Sequence, residues 1–147
     1  MKKLGKSTKK GFTLVELIVV LVILAVLAAM LVPALTGYIK RAKQEKDYQA
    51  ASAVYAAAQA AITEAYGKGT LTPPASGETG TFNKTSDTNG VVYDLAGVDS
   101  SKVTDYSFTY NENLIITSGS VKIKSGKEEP TYYLRADGTW GNTATTS

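Results

Sequence analysis

Residues 17–39 carry no charged side chain. Glu16 and Lys40 bound this gap, and residues 12–35 are nearly all apolar. As a helix, the 19 residues of 17–35 would run about 28 Å, close to the hydrocarbon thickness of a bilayer. A chain holding such a segment must bury it in a membrane, in a large core or against copies of itself. Two readings compete for it: a removable secretory signal and a retained membrane helix. A removable signal ends in small residues of the A-x-A kind, and residues 25–36 contain no such pair. The run also exceeds the usual apolar length of a signal, which favours a retained helix.

Helical periodicity continues past the apolar run. Tyr48, Ala51, Tyr55, Ala58, Ile62 and Ala65 recur at alternating spacings of three and four, an apolar stripe on one helix face. Gly67 and Gly69 then stop the pattern. One helix is therefore expected from residue 13 to 66, on the order of 80 Å long. The stripe fits docking on a small domain. A coiled-coil seam has the same spacing, but only about three heptads are present and large aliphatics are few.

Residues 67–90, with Pro73, Pro74 and many Ser, Thr and Gly, read as a loop. Beyond it the period changes to two. Residues 106–110, 114–117, 121–124 and 131–135 read as short strands, separated by turns at 111–113 and 125–130; Asp137-Gly138 turns the chain toward Trp140. The expected fold class is α+β. A long N-terminal helix with an apolar first half packs its distal half on a small antiparallel β-sheet.

Charge is unevenly placed. The net charge of +3 depends on five lysines before Gly11; the other 11 basic residues face 13 acidic ones. No nucleic-acid surface is evident in such a balance. Lys40, Arg41, Lys43 and Lys46 form a local basic cluster interrupted by Glu45 and Asp47, which reads as a solvated helix face or a headgroup anchor. Cysteine and histidine are both absent, which removes disulfides, thiol chemistry and the commonest general base and metal ligand. No phosphate loop and no Gly-x-Ser-x-Gly element occurs. Asp87-Thr88-Asn89-Gly90 has the start of a calcium loop, but no Glu stands at the twelfth position, so a turn is expected.

The junction Lys9-Lys10-Gly11-Phe12-Thr13-Leu14-Val15-Glu16, followed by the apolar run, carries the functional signal. It resembles the class III signal of type IV pilins and type II secretion pseudopilins: a Gly, then Phe-Thr-Leu-Val/Ile-Glu, then apolar residues. The resemblance implies that residues 1–11 are a basic leader removed by a prepilin peptidase. That enzyme cuts between Gly11 and Phe12 and methylates the new Phe12 amine. It implies a division into leader (1–11), apolar membrane and filament-core helix (12–39), amphipathic half of the same helix (40–66), and loop plus sheet (67–147).

Glu16 has two readings that stand side by side. Thr13-x-x-Glu16 is a capping box, and an acid suits the first helical turn. In the family, the equivalent Glu neutralises the N-terminal amine of a neighbouring subunit, which assigns Glu16 and Phe12 to assembly. A carboxylate inside a membrane helix costs roughly 2.5–3.5 kcal/mol on insertion scales, so a partner is expected. Pro33 and Gly37 mark an expected helix kink, tolerated in a membrane helix; the resemblance implies instead that the helix melts near Pro33 within the filament.

The resemblance implies a structural pilus subunit, not an enzyme, with no cofactor and no metal. Its implied partners are copies of itself, the prepilin peptidase/methyltransferase, an inner-membrane assembly platform with its ATPase, and membrane lipid. It would be single-pass with a cytoplasmic N-terminus before assembly, and on the cell surface afterwards. A pseudopilin of type II secretion or DNA uptake is the alternative within the family. An anchored single-pass binding domain is the alternative outside it.

Overall fold

A computed structural model of the chain describes residues 11–143. The leader lysines, Lys9 and Lys10 included, lie outside the described residues. The element order is α1 (Leu14–Gly67), β1 (Gly80–Asn83), α2 (Val91–Ala96), β2 (Val103–Tyr110), β3 (Ile116–Ile123), β4 (Thr131–Leu134) and β5 (Trp140–Gly141). The chain divides into two compact units, one ending at Arg41 and one beginning at Ala42.

In the first unit every described residue is exposed, from Gly11 to Arg41. The second unit is an α+β domain, with the distal part of α1 on a five-stranded antiparallel meander of order β1-β2-β3-β4-β5. The buried face of α1 is Asp47, Ala50, Ala51, Val54, Ala57, Ala58, Ala61 and Ile62. The stripe read from sequence is the edge of this face. Ala51, Ala58 and Ile62 are buried, while Tyr48, Tyr55 and Ala65 flank them half-buried. Alanine at the centre lets the sheet approach the helix axis closely, and the tyrosines close the sides. The stripe is thus spent on the chain's own sheet, which leaves no seam there for a coiled coil.

The sheet's inner face supplies the large side chains. Tyr106, Phe108, Tyr132, Val103, Val121 and Ile123 are almost fully buried. Tyr55 meets Phe108 edge-on at 6.1 Å, and Tyr48 meets Tyr132 at 5.2 Å. Each such aliphatic or aromatic burial contributes roughly 1.5–3 kcal/mol.

Four elements differ from the sequence expectation: β1, β2, β3 and α2. The segments read as second and third strands are one strand, β3. Thr117 is an extra residue between the pairs Thr109↔Ser118 and Tyr110↔Ile116. This bulge inverts the alternation, so Ile116 and Val121 both face the core although five residues apart. A second bulge at Thr104 puts Val103 and Tyr106 on one face, which hides the start of β2 from a period-two reading. Ser118-Gly119-Ser120 looks like a turn but lies mid-strand. Gly119 stands opposite Phe108, and a Cβ there would sit 2.2 Å from the Phe108 ring. Glycine is required because the ring lies across the strand backbone.

The expected loop 67–90 contains β1, anchored by the buried Phe82 and paired in register with β2 (Phe82↔Phe108). The short helix α2 was also not legible. Asp87 makes it: Oδ1 accepts the Val91 N–H and Oδ2 the Val92 N–H, each at 2.9 Å. The Asp87–Gly90 stretch is thus a turn with a capping acid, as expected of its failed calcium-loop pattern.

Gly119→Ala should force the Phe108 ring or the β2–β3 register to shift, at a cost of about 1–3 kcal/mol. Urea unfolding of the detergent-solubilised chain, followed by the fluorescence of the single buried Trp140, measures it. An unchanged midpoint would show that the close approach is not a packing constraint.

Candidate functional site

The helix α1 begins on a reciprocal cap. The Thr13 N–H donates to Glu16 Oε2 at 3.0 Å, and the Glu16 N–H donates to Thr13 Oγ1 at 3.3 Å. Two of the N–H groups that a helix start leaves without partners are satisfied by side chains three residues apart. The capping box read from sequence therefore forms within one chain. Among the described residues it engages only one carboxylate oxygen, and Glu16 Oε1 accepts no hydrogen bond.

Gly11 and Phe12 precede the helix and are exposed, Phe12 at 88%. A Cβ at Gly11 would meet nothing within 4 Å, so its surroundings are open. Phe12, Glu16 and Val20 are four residues apart and share one face with Leu17 beside them, forming a shallow apolar groove whose one charged group is Glu16. From Leu17 to Ile39 the large hydrophobic side chains stand 44–72% exposed. The helix is long and apolar enough to cross a membrane.

Pro33 lies inside α1, and helical structure continues through it and through Gly37. Pro33 has no N–H for the carbonyl four residues back. Thr36 Oγ1 donates to Val32 O at 2.8 Å and to Pro33 O at 2.9 Å, so a side chain works beside the missing bond.

In the second unit, polar side chains fasten the helix to the sheet. Asp47 is buried and accepts a hydrogen bond from the Tyr132 hydroxyl at 3.1 Å. Gln59 clamps the β2–β3 turn: its Nε2 donates to Leu114 O at 2.7 Å, and its Oε1 accepts from the Ile116 N–H at 2.9 Å. Trp140 Nε1 donates to Ser52 Oγ at 3.0 Å, and Tyr48 Oη to Asn142 Oδ1 at 3.4 Å. Sequence reasoning missed these four links. Polar residues on an amphipathic face carry no signal of their partners, which lie 55 to 94 residues away.

A cavity of about 450 Å³ lies between the end of α1, β1 and the 86–91 turn. Its two acids are already engaged, Glu64 by Lys68 and Asp87 by the α2 amides and the Tyr106 hydroxyl. Among the described residues no three His, Cys, Asp or Glu side chains gather as a metal site.

Residues 6–32 match the family model described as the prokaryotic N-terminal methylation motif. No curated protein and no solved structure matches the chain. The matched stretch spans Gly11, Phe12, the Thr13–Glu16 cap and the first part of the apolar run.

Two phenols give the second unit a pH signature. Burial, then the hydrogen bond to Asp47, pushes the Tyr132 phenol above its ordinary value of 10.0. Burial, then the hydrogen bond to Asp87, does the same to Tyr106. Groups whose pKa is raised on folding stabilise the fold below their unfolded pKa. Stability should therefore be level up to about pH 10 and fall above it, by at most about 1.4 kcal/mol per pH unit for each phenol. Tyr132→Phe should shallow that fall and also cost about 1–3 kcal/mol at neutral pH, because Asp47 loses its hydrogen-bond donor. Urea midpoints from pH 7 to 11.5 for the parent and the variant measure both effects; identical slopes would remove Tyr132 from the account.

Proposed function

We propose that this type IV pilin-like chain is the structural subunit of a type IV pilus, polymerised from the membrane into a helical filament once its leader is removed. One observation carries the reading: a charge-free helical segment exposed on every side, opened by an acid fixed in its first turn. Such a surface is stable only in lipid or against other apolar helices.

The proposed sequence has three stages. The leader lysines keep residues 1–11 on the cytoplasmic side. The peptidase hydrolyses the Gly11–Phe12 amide, leaving a carboxylate on Gly11 and an amine on Phe12 that is then methylated. The absence of a side chain at Gly11 lets the enzyme approach the backbone. The freed chain waits as a single-pass membrane protein. An ATP-driven platform then moves it into the filament, where residues 12–39 bury against their counterparts in other copies.

Glu16 aligns the copies by pairing with the Phe12 amine of a neighbour. Cap and pair are compatible, because the cap uses Oε2 and leaves Oε1 open. Pro33 and Gly37 are where the helix yields if the packed filament demands bending. The role is structural rather than enzymatic and needs no cofactor.

Intact mass of the cell-derived protein should correspond to 136 residues beginning with N-methyl-phenylalanine. Electron microscopy of sheared material should show long filaments that vanish on deletion. Short membrane-bound assemblies with secretion or DNA-uptake defects would identify a pseudopilin instead. An uncut chain on the surface would identify an anchored binding domain.

Glu16→Ala separates cap from pair. Loss of the cap alone costs about 1 kcal/mol, and filaments should persist. Two charges about 4 Å apart attract by roughly 4 kcal/mol at an effective dielectric near 20. Losing that at each subunit contact should leave cleaved protein in the membrane fraction and none in the sheared fraction. Parental filament yield would reduce Glu16 to a cap.

A further inference from the structure

We propose that Lys40, Arg41, Lys43 and Lys46 form a cationic collar that binds headgroup phosphates of anionic lipid in the leaflet where α1 leaves the bilayer. The proposal rests on the membrane-anchored reading of residues 17–39 and adds the lipid class that the anchor recognises.

All four side chains are exposed. Among the described residues the salt bridges are Lys68–Glu64 and Lys122–Glu129, so none of the four cations has a carboxylate within bonding distance. The acids that could neutralise them locally do not. Asp47, four residues after Lys43, is turned into the core, where its Oδ2 accepts the Tyr132 hydroxyl. Glu45, four residues after Arg41, stays exposed and unbridged. Four cations against one exposed acid therefore face outward within two helical turns. Lys40, Lys43 and Lys46 recur every three residues. Lys43 and Lys46 stand about 60° and 120° to one side of Lys40 and Arg41 about 100° to the other, so the four cations encircle much of the helix as a collar.

Register fixes what this collar meets. The charge-free segment 17–39 rises about 34 Å as a helix, slightly more than the roughly 30 Å hydrocarbon core. With that segment in the bilayer, Lys40 stands at the outer boundary of the hydrocarbon, and Lys46 about 9 Å beyond it, across the headgroup layer. Lysine stems lie along apolar surface with the ammonium in the interface, and the Arg41 guanidinium forks onto phosphate oxygens. Basic residues on the translocated flank oppose the usual topological preference, since the leader already places five lysines on the other side. A lipid ligand explains why they are there. The same register puts Glu16 about 36 Å from Lys40, at the opposite boundary. The carboxylate then avoids the bilayer centre, and the Gly11–Phe12 bond lies at the membrane surface.

The test uses the full chain reconstituted in phosphatidylcholine vesicles containing phosphatidylglycerol, with spin-labelled versions of each lipid as probes. The lipid immobilised at the protein should be enriched in phosphatidylglycerol on the order of fivefold, the ratio that about 1 kcal/mol per surface cation gives. Enrichment should drop toward one in the variant Lys40→Gln/Arg41→Gln/Lys43→Gln/Lys46→Gln, and also in about 1 M salt, where screening acts within roughly 3 Å. Unchanged Trp140 fluorescence certifies the fold of the variant. Resistance to carbonate extraction is read separately. A chain that is extracted overturns the anchored reading together with this proposal. A chain that resists extraction but shows no phosphatidylglycerol preference overturns the proposal alone, as does a preference that survives the four substitutions. Loss of filaments in the variant with lipid preference intact would assign the collar to acids of a neighbouring copy and reject lipid.

Discussion

The structure depends on a helix whose first part, among the described residues, is exposed on all sides. Across residues 17–39 there is no charge, and no side chain is buried by another element. Water opposes this arrangement in proportion to area, at about 25 cal/mol per Å² of apolar surface. Lipid and a bundle of identical helices are the two environments that remove the penalty, and a chain that exchanges one for the other needs no change in the helix itself. Helical hydrogen bonding runs along the segment except where Pro33 has no N–H to give, which is close to what either environment demands. The capping box settles the two N–H groups that would otherwise be stranded at its start.

The distal part of the same helix meets the opposite condition. Its face is mostly alanine, and the sheet supplies the bulk. Small residues on the helix allow close approach, and aromatic residues from β2 and β4 fill the space between them. That division of labour makes the sheet register strict. Phe108 must lie over Gly119, pair with Phe82 and reach Tyr55, so a slip of one residue would turn β2's aromatics to solvent. The chain has no disulfide to hold its C-terminal strands. Trp140, Tyr132 and Tyr48 instead fasten them to α1 by hydrogen bonds to Ser52, Asp47 and Asn142, each set beside buried aromatic surface.

The long helix, its two unlike halves and the α+β class were legible because each rests on a local pattern: a missing charge, a 3.6-residue period, a change to period two. The misjudged extents of β2 and β3 share one cause. Bulges at Thr104 and Thr117 break the period where the chain does not break, so one strand looked like two and another looked short. Gly119 signals a turn by its residue type, yet its role is set by Phe108, which lies opposite it in space. β1 has only Phe82 as an inward anchor, too little for a periodic signal. α2 exists because Asp87 caps it while accepting the Tyr106 hydroxyl, a contact across 19 residues. At the N-terminus, the residue types and the cap were both visible, since every partner lies within a few positions.

On the proposed function, Glu16 serves two environments in turn. In a lone chain in lipid, an ionised acid with no hydrogen bonds would be costly, and the Thr13 N–H gives Oε2 a partner before any neighbour arrives. The positive end of the helix favours the same charge. The carboxylate is thus held in place, so on that reading little ordering remains to be done when an amine approaches Oε1. A carboxylate already fixed by its own helix loses less entropy on pairing than a free one would. On this account the cap is the preparation for assembly, and the spacing of Thr13 and Glu16 serves both stages with the same four residues.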